Sequence, residues 1–136
     1  MGIIKKVSQT LLGLALIYAG IGHLTFSRIE FRAQVPTWLP LDADFVVLFS
    51  GVIEITLGLA LVILWKYKMF VGLLTALFFI AIFPGNISQY VNGIDAFGLD
   101  TDEARLTRLF FQPLLVAAAL LSTDAWKLIK LRKKNW

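Results

Sequence analysis

The stretch FVVLFSGVIEITLGLALVILW, Phe45 to Trp65, carries one charged residue, Glu54, among side chains that are almost all apolar. A run of roughly 20 apolar residues crosses the hydrocarbon core of a bilayer as one α-helix. Three other blocks of similar length and composition occur in the chain. We therefore predict an all-α membrane protein, a single four-helix transmembrane domain over residues 1–136. The predicted spans are Val7 to Phe26, Phe45 to Trp65, Met69 to Ile87 and Leu106 to Thr123.

The composition of the whole chain agrees with this prediction. Of its 136 residues 58% are hydrophobic and 16% charged, and the mean hydropathy is +0.77, whereas soluble domains are roughly 45 to 50% apolar and about 25% charged. The chain has no cysteine, which excludes a disulfide, a thiolate metal site and dithiol chemistry within it. The net charge of +4 comes from cations at the predicted membrane edges, so we expect a bilayer as partner and no nucleic acid.

The distribution of cationic residues predicts the orientation, because cytoplasmic segments of membrane proteins are enriched in Lys and Arg. With the N-terminus in the cytoplasm, nine of the 13 cations lie inside and four lie outside. We therefore expect a multi-pass protein of the plasma (inner) membrane with both termini cytoplasmic. The C-terminal run LIKLRKKNW is interpreted as an anchor on anionic lipid rather than a site for a protein partner. The inside cations are Lys5, Lys6, Lys66, Lys68, Lys127, Lys130, Arg132, Lys133 and Lys134.

Glu54 is the most costly residue of the second span. It follows Phe45 by nine residues, which places it about 14 Å below the outer surface at 1.5 Å per residue, close to the bilayer midplane. An acidic residue there costs roughly 2.5 to 3.5 kcal/mol, so we expect its side chain to face the bundle interior. Ser50 and Gly58 share its helical face and would supply a hydroxyl above it and a small cavity below it.

Four further polar residues fall in the outer half of the predicted bundle, above Glu54. They are His23, Asn86, Arg108 and Gln112. Simpler explanations exist: His23 can be a solvated histidine at the interface, Asn86 can serve the helix break of Phe83–Asn86, and Arg108 can reach the surface. Their coincidence on several helices instead predicts a polar pocket or relay open to the outer leaflet. The proposed acid and base are His23 and Glu54, and the proposed ligand-binding residues are Ser50, Asn86, Arg108 and Gln112.

The surroundings of this pocket are predicted less specifically. Aromatic residues should line it, namely Tyr18, Phe49, Phe83 and Phe111 or their neighbours. Residues 34–41 form an apolar, proline-bounded loop, which fits either a lid over the pocket or an anchor in the membrane interface. A single histidine without cysteine gives no recognisable metal or haem ligand pair, so we predict no metal.

Four short motifs in this order resemble the DoxX-like family of small four-helix membrane proteins. They are AGIGH at 19–23, VPTWLP at 35–40, SGVIEITLG at 50–58 and FPGNI at 83–87, and the resemblance extends over residues 10–123. The family takes its name from a subunit of a thiosulfate:quinone oxidoreductase, and its relatives are often linked to quinone or thiol-redox pathways. The resemblance therefore implies a quinone as ligand. The lack of cysteine argues against direct thiol chemistry in this chain.

Three functions remain open from the sequence. The first is a quinone- or lipophile-binding component of a membrane oxidoreductase, which acts with a partner redox subunit or as a homo-oligomer. The second is a noncatalytic assembly subunit, in which the polar residues hold helices together. The third is a small oligomeric transporter, although inverted repeats are not evident.

Overall fold

The computed structural model describes residues 2–25, 35–36, 38–93 and 101–134, and these residues contain helices and no strand. Four of the helices are long and apolar enough to cross a membrane. The protein is therefore a helical, multi-pass membrane protein, as the sequence predicted. The helices are α1 (Ile3–Leu24), α2 (Ala43–Ile63), α3 (Lys68–Val91), α4 (Asp102–Ser122) and α5 (Trp126–Lys134), with a 3₁₀ turn at Trp65–Tyr67.

The helices differ from the predicted spans mainly at their ends. Both α1 and α4 begin four residues earlier than predicted, because polar residues at a membrane edge can extend a helix beyond its apolar core. The predicted break at Phe83–Asn86 is wrong: Pro84 lies inside α3, which continues to Val91. Neighbouring helices and polar side chains can satisfy the backbone groups that a proline frees within a membrane helix.

The bundle consists of two helix pairs. Helix α1 packs most extensively against α2, and α3 against α4, whereas the contacts between the two pairs are fewer. The short link at Leu64–Tyr67 joins the pairs. We call the end of the bundle that contains this link, the start of α1 and the end of α4 the terminal end, and the opposite end the loop end.

Glycines set the approach of α1 to α2. A Cβ added at Gly13 would lie 2.8 Å from the carbonyl oxygen of Gly58, and one added at Gly20 would lie 2.7 Å from that of Gly51. The spacing is seven residues on each helix, so two glycine pairs match in the antiparallel arrangement. Small residues let membrane helices approach until their backbones touch. The expectation that Gly58 leaves a small cavity below Glu54 is wrong, because Gly13 and Ile17 occupy that space.

An ion-pair cluster fastens the terminal end. Asp124 follows α4 and has a φ of +60°, and its carboxylate lies 2.6 Å from Lys5 Nζ and 3.6 Å from Lys68 Nζ. The hydrogen bond from Lys5 holds the pKa of the Asp124 carboxyl below its usual value, and the nearby lysines add to this effect. Beside it, a Cβ on Gly72 would overlap the Thr123 side chain. The cluster ties α1, α3 and α4 together.

Helix α5 is a short basic helix that includes most of the C-terminal segment interpreted from the sequence as an anchor on anionic lipid. It begins at Trp126, two residues after Asp124, and contacts α3. The ammonium groups of Lys127 and Lys130 lie 5.8 Å and 5.9 Å from the centre of the Trp126 ring. A tryptophan with cations around it is typical of a membrane interface.

Candidate functional site

A cavity of about 490 Å³ lies between the two helix pairs, toward the loop end. Its walls are mainly apolar and come from all four long helices, with Leu16, Ile53, Phe79 and Leu115 as examples. Volumes of 300 to 1,000 Å³ with mostly apolar walls and a few polar groups are typical of sites for small molecules. The charged or titratable side chains that line it, within the described residues, are His23, Glu54 and Arg108.

His23 and Glu54 form the polar group on the α1–α2 wall. Both are buried, with 7% and 5% of their surfaces exposed. Nε2 of His23 lies 3.2 Å from Oε2 of Glu54, within ion-pair distance. The contact is not aligned as a hydrogen bond, and Oε2 has no hydrogen-bond partner among the described residues. A ligand or water entering the cavity could therefore use this oxygen.

The backbone fixes which nitrogen of His23 carries hydrogen. Nδ1 lies 2.9 Å from the carbonyl oxygen of Val47, and a carbonyl only accepts, so Nδ1 is the donor. Nε2 then faces Glu54 either with a lone pair or, in imidazolium, with a proton. Two lone pairs at 3.2 Å would repel each other, so the two side chains hold one proton between them, either on Nε2 or on the Glu54 carboxyl. The pair is neutral overall in both arrangements of this proton.

Gly51 creates the space for this pair. A Cβ at Gly51 would lie 2.6 Å from the Cβ of His23. Gly51 precedes Glu54 by three residues, so both lie on neighbouring positions of the same helical face. The close packing of α1 on α2 and the His23–Glu54 contact therefore depend on the same glycine.

Gln112 organises the polar group on the α3–α4 wall. It is 1% exposed, and its Nε2 donates to the carbonyl oxygen of Phe79 at 2.6 Å. Its Oε1 accepts from Asn86 Nδ2 at 3.3 Å and from Arg108 at 3.4 Å. The acceptor Phe79 lies five residues before Pro84, in the turn that precedes the proline. Gln112 thus ties α3 to α4 and also orients Arg108.

Arg108 contributes a positive charge to the cavity. Its guanidinium has five N–H donors, and the hydrogen bond it makes within the described residues goes to Gln112, a neutral amide. No carboxylate of the described residues lies within 4 Å of it. A half-buried guanidinium with one long hydrogen bond to an amide retains most of its capacity to bind a ligand.

The structure places the six residues proposed from the sequence in two groups. Five of them line the cavity: His23, Ser50, Glu54, Arg108 and Gln112. Asn86 does not line it and contacts the site through Gln112. Ser50 makes no hydrogen bond to Glu54, in contrast to the expectation that its hydroxyl serves as the donor. Buried Oδ1 of Asn86 also lacks a hydrogen-bond partner among the described residues.

The expected lining was Tyr18, Phe49, Phe83 and Phe111 or their neighbours, and the named residue lines the cavity at one position while neighbours line it at the other three. Phe49 lines the cavity. Tyr18 and Phe111 are 67% and 51% exposed and belong to the outside of the bundle. The neighbours Ala19 and Gln112 take their places, and Phe78 and Phe79 line the cavity where Phe83 was expected. The rotation of each helix about its axis decides which residues line the cavity. A membrane helix has apolar residues on every face, so its sequence does not indicate this rotation.

Part of the 34–41 loop reaches the cavity. Val35, Pro36, Trp38 and Leu39 contribute to its wall, while Gln34 and Thr37 lie outside the described residues. Val35 is buried and Trp38 is 68% exposed. The loop therefore both covers the cavity and presents a tryptophan outward, which combines features of the lid and the interfacial anchor.

Sequence reasoning missed several buried polar residues elsewhere in the bundle. Gln9 is fully buried and donates from Nε2 to the carbonyl of Leu61 at 2.8 Å. Near the loop end, Gln89 and Arg105 are 2% and 8% exposed. Glutamine within an apolar run was the available signal for Gln9. Arg105 is one of the four cations predicted to lie outside the membrane. Its burial depends on α4 beginning at Asp102.

No group of three or more His, Cys, Asp or Glu residues within the described ranges is arranged to hold a metal ion. The site is therefore defined by an acid–base pair on one wall, a guanidinium and amide on the other, and apolar surface between them. These features define a class: a helical membrane protein whose described residues form four candidate spans around a partly open, mainly apolar site.

The chain belongs to the family described as Domain of unknown function (DUF8561), whose model matches residues 12–123. The match includes all six proposed site residues. Neither the search of curated proteins nor the search of solved structures found a match to the chain. The family match thus assigns no activity, and the DoxX-like resemblance stays a prediction.

Proposed function

We propose that the protein binds a quinone or a similar lipophilic small molecule in the cavity, as a component of a membrane redox system. The observation that supports this most is a mainly apolar cavity with polar groups on two facing walls, His23–Glu54 on one and Arg108–Gln112 on the other. Such walls would bind an apolar ring while its oxygens receive hydrogen bonds at either side. The DoxX-like resemblance points to the same ligand.

In this proposal the protein supplies protons and binding, and a partner redox subunit supplies electrons. Reduction of a quinone to a quinol takes up two electrons and two protons. The proton shared by His23 and Glu54 would be donated to one quinone oxygen, and Arg108 would stabilise negative charge that develops on the other. The second proton would reach the other quinone oxygen from water, and the pair would regain its own proton from the aqueous side.

We further propose the orientation and location expected from the cations: both termini in the cytoplasm and the protein in the plasma (inner) membrane. The chain has no cysteine, so single cysteines can be introduced as labels. Gly2→Cys and Lys127→Cys at the terminal end should resist a membrane-impermeant thiol reagent in intact cells. Labelling of both cysteines from outside the cell would show the opposite orientation.

The first test compares wild type with Glu54→Gln in the same detergent preparations. Thermal stability and binding of a short-chain quinone are measured, and co-purifying quinone is sought by mass spectrometry. We expect Glu54→Gln to keep its stability and lose quinone binding about tenfold or more. Asp124→Asn is the control, because it makes the same carboxyl-to-amide change outside the cavity and should bind quinone as wild type does.

A second candidate is a noncatalytic assembly subunit, and the hydrogen bonds of Gln112 favour it. They join α3 to α4 through a backbone carbonyl and a second amide, which is an arrangement that can serve packing alone. In that case wild type would bind no quinone, and Glu54→Gln would lower the melting temperature.

A further inference from the structure

The charges that line the cavity do not balance. His23 and Glu54 share one proton and are neutral as a pair, whereas Arg108 is always protonated in proteins. The lining within the described residues therefore carries one net positive charge. A half-buried charge in a mainly apolar cavity of a membrane protein is costly unless it is paired or hydrogen-bonded.

The partners of Arg108 within the described part of the chain compensate little of this cost. Its hydrogen bond to Gln112 is 3.4 Å long and goes to an amide oxygen. That oxygen also accepts from Asn86, so it is shared between two donors. The acidic side chain that lines the cavity within the described residues, Glu54, already faces His23 at 3.2 Å.

A planar anion fits this arrangement. A guanidinium binds a carboxylate through two parallel N–H donors, in the strongest type of hydrogen-bonded pair that proteins use. One such anion would neutralise the cavity, and its hydrocarbon part would contact the apolar walls at Leu16, Ile53 and Leu115. A neutral lipophile would leave the charge of Arg108 uncompensated.

We propose that the cavity selects lipophiles with a single negatively charged planar head group, such as a carboxylate, with Arg108 as the group that binds the head. This inference rests on the proposed function only in that the cavity binds a lipophile. It adds that the cavity prefers a negatively charged head group, and a neutral quinone has no such charge.

The test compares two ligands of equal chain length, decanoate and decan-1-ol, at neutral pH. Binding to the full-length protein in detergent is measured by native mass spectrometry and by the shift in melting temperature, with a short-chain quinone in parallel. We expect wild type to bind decanoate about ten- to a hundredfold more tightly than decan-1-ol, the gain of a charge-assisted hydrogen bond of roughly 1.5 to 3 kcal/mol.

Three variants assign the preference to Arg108. Arg108→Gln should bind both ligands equally, and Arg108→Lys should keep part of the preference because it retains the charge without the two-donor geometry. Arg105→Gln removes a cation three residues away that does not line the cavity. Whatever its stability, this variant should keep the wild-type preference for decanoate over decan-1-ol in native mass spectrometry. Preference unchanged in Arg108→Gln would overturn the assignment.

The outcomes separate this inference from the proposed function. If quinone binds and decanoate binds no better than decan-1-ol, the charge preference is wrong and the quinone site stands. If decanoate is preferred and quinone does not bind, the preference stands and the quinone proposal is wrong. If none of the three ligands binds wild type, both are wrong.

Discussion

Replacing Gly51 by alanine tests the link between helix packing and the site. The added Cβ would lie 2.6 Å from the Cβ of His23, whereas ordinary contacts begin near 3.4 Å. Either α1 moves away from α2 or the His23 side chain leaves its position by about 0.8 Å. Overpacking of this kind costs about 1 to 3 kcal/mol, and the better helix propensity of alanine returns up to about 1 kcal/mol.

Gly58→Ala is the matched variant, because it places a Cβ 2.5 Å from the Gly13 carbonyl in the same interface but away from His23. A net loss of about 1 to 2 kcal/mol corresponds to a melting temperature lower by roughly 3 to 10 °C for a chain of this size. We expect this decrease in both variants.

Ligand binding should distinguish the two glycines. Gly51→Ala should weaken quinone binding about tenfold, since it displaces Nε2 of His23 from Glu54, and Gly58→Ala should leave binding unchanged. Melting temperature is followed by thermal unfolding in detergent and affinity by quinone titration. Equal losses of affinity in both variants, or an unchanged melting temperature in Gly51→Ala, would refute the link between packing and the site.

Three further substitutions test other parts of the structure. Gln112→Leu should lower the free energy of unfolding by about 1 to 3 kcal/mol, because Asn86 and Arg108 lose their acceptor and the carbonyl of Phe79 loses its second donor. Chemical denaturation in detergent measures this, and an unchanged value would contradict the described hydrogen bonds. The lowered pKa of Asp124 means that its ionised carboxylate stabilises the fold above about pH 4, and this stabilisation is lost as pH falls through the lower folded-state pKa. Between pH 6 and pH 3, the free energy of unfolding of wild type should therefore fall by up to about 1 kcal/mol more than that of Asp124→Asn, as measured by thermal unfolding. Equal pH profiles would show that the ion pair with Lys5 contributes nothing. Trp38→Ala should weaken quinone binding several-fold with little change in melting temperature, because the side chain lines the cavity and is otherwise exposed; a lower melting temperature with unchanged affinity would favour the anchor over the lid.

The number of membrane helices was predictable because length and apolar composition decide it. The interior position of Glu54 was predictable for the same reason, since the cost of a carboxyl in lipid leaves it few other places. The continuation of α3 past Pro84 was not predictable from local rules. It depends on neighbouring helices, which a single sequence does not place.

The contents of the site were harder to predict than its existence. Small residues occur at several positions along α1, and the sequence does not tell which of them meet α2. Gly13 and Gly20 do so, whereas Ala15 and Ala19 line the cavity. A rotation of α1 by a fraction of a turn separates these alternatives. Charged residues would normally reveal the rotation, but α1 has none between Lys6 and His23.

The division of the bundle into two helix pairs has a mechanical consequence. Among the described residues, the contacts reported above for the cavity walls stay within one pair or the other: His23 contacts Val47 and Glu54, and Gln112 contacts α3 and Arg108. The pairs are joined at the terminal end by the Leu64–Tyr67 link and by the ion pair of Lys5 with Asp124. A small angular separation of the pairs about that end would widen the cavity at the loop end and leave all these contacts intact. Such a separation would let a hydrophobic molecule enter laterally from the bilayer between the two helix pairs while the polar groups keep their positions.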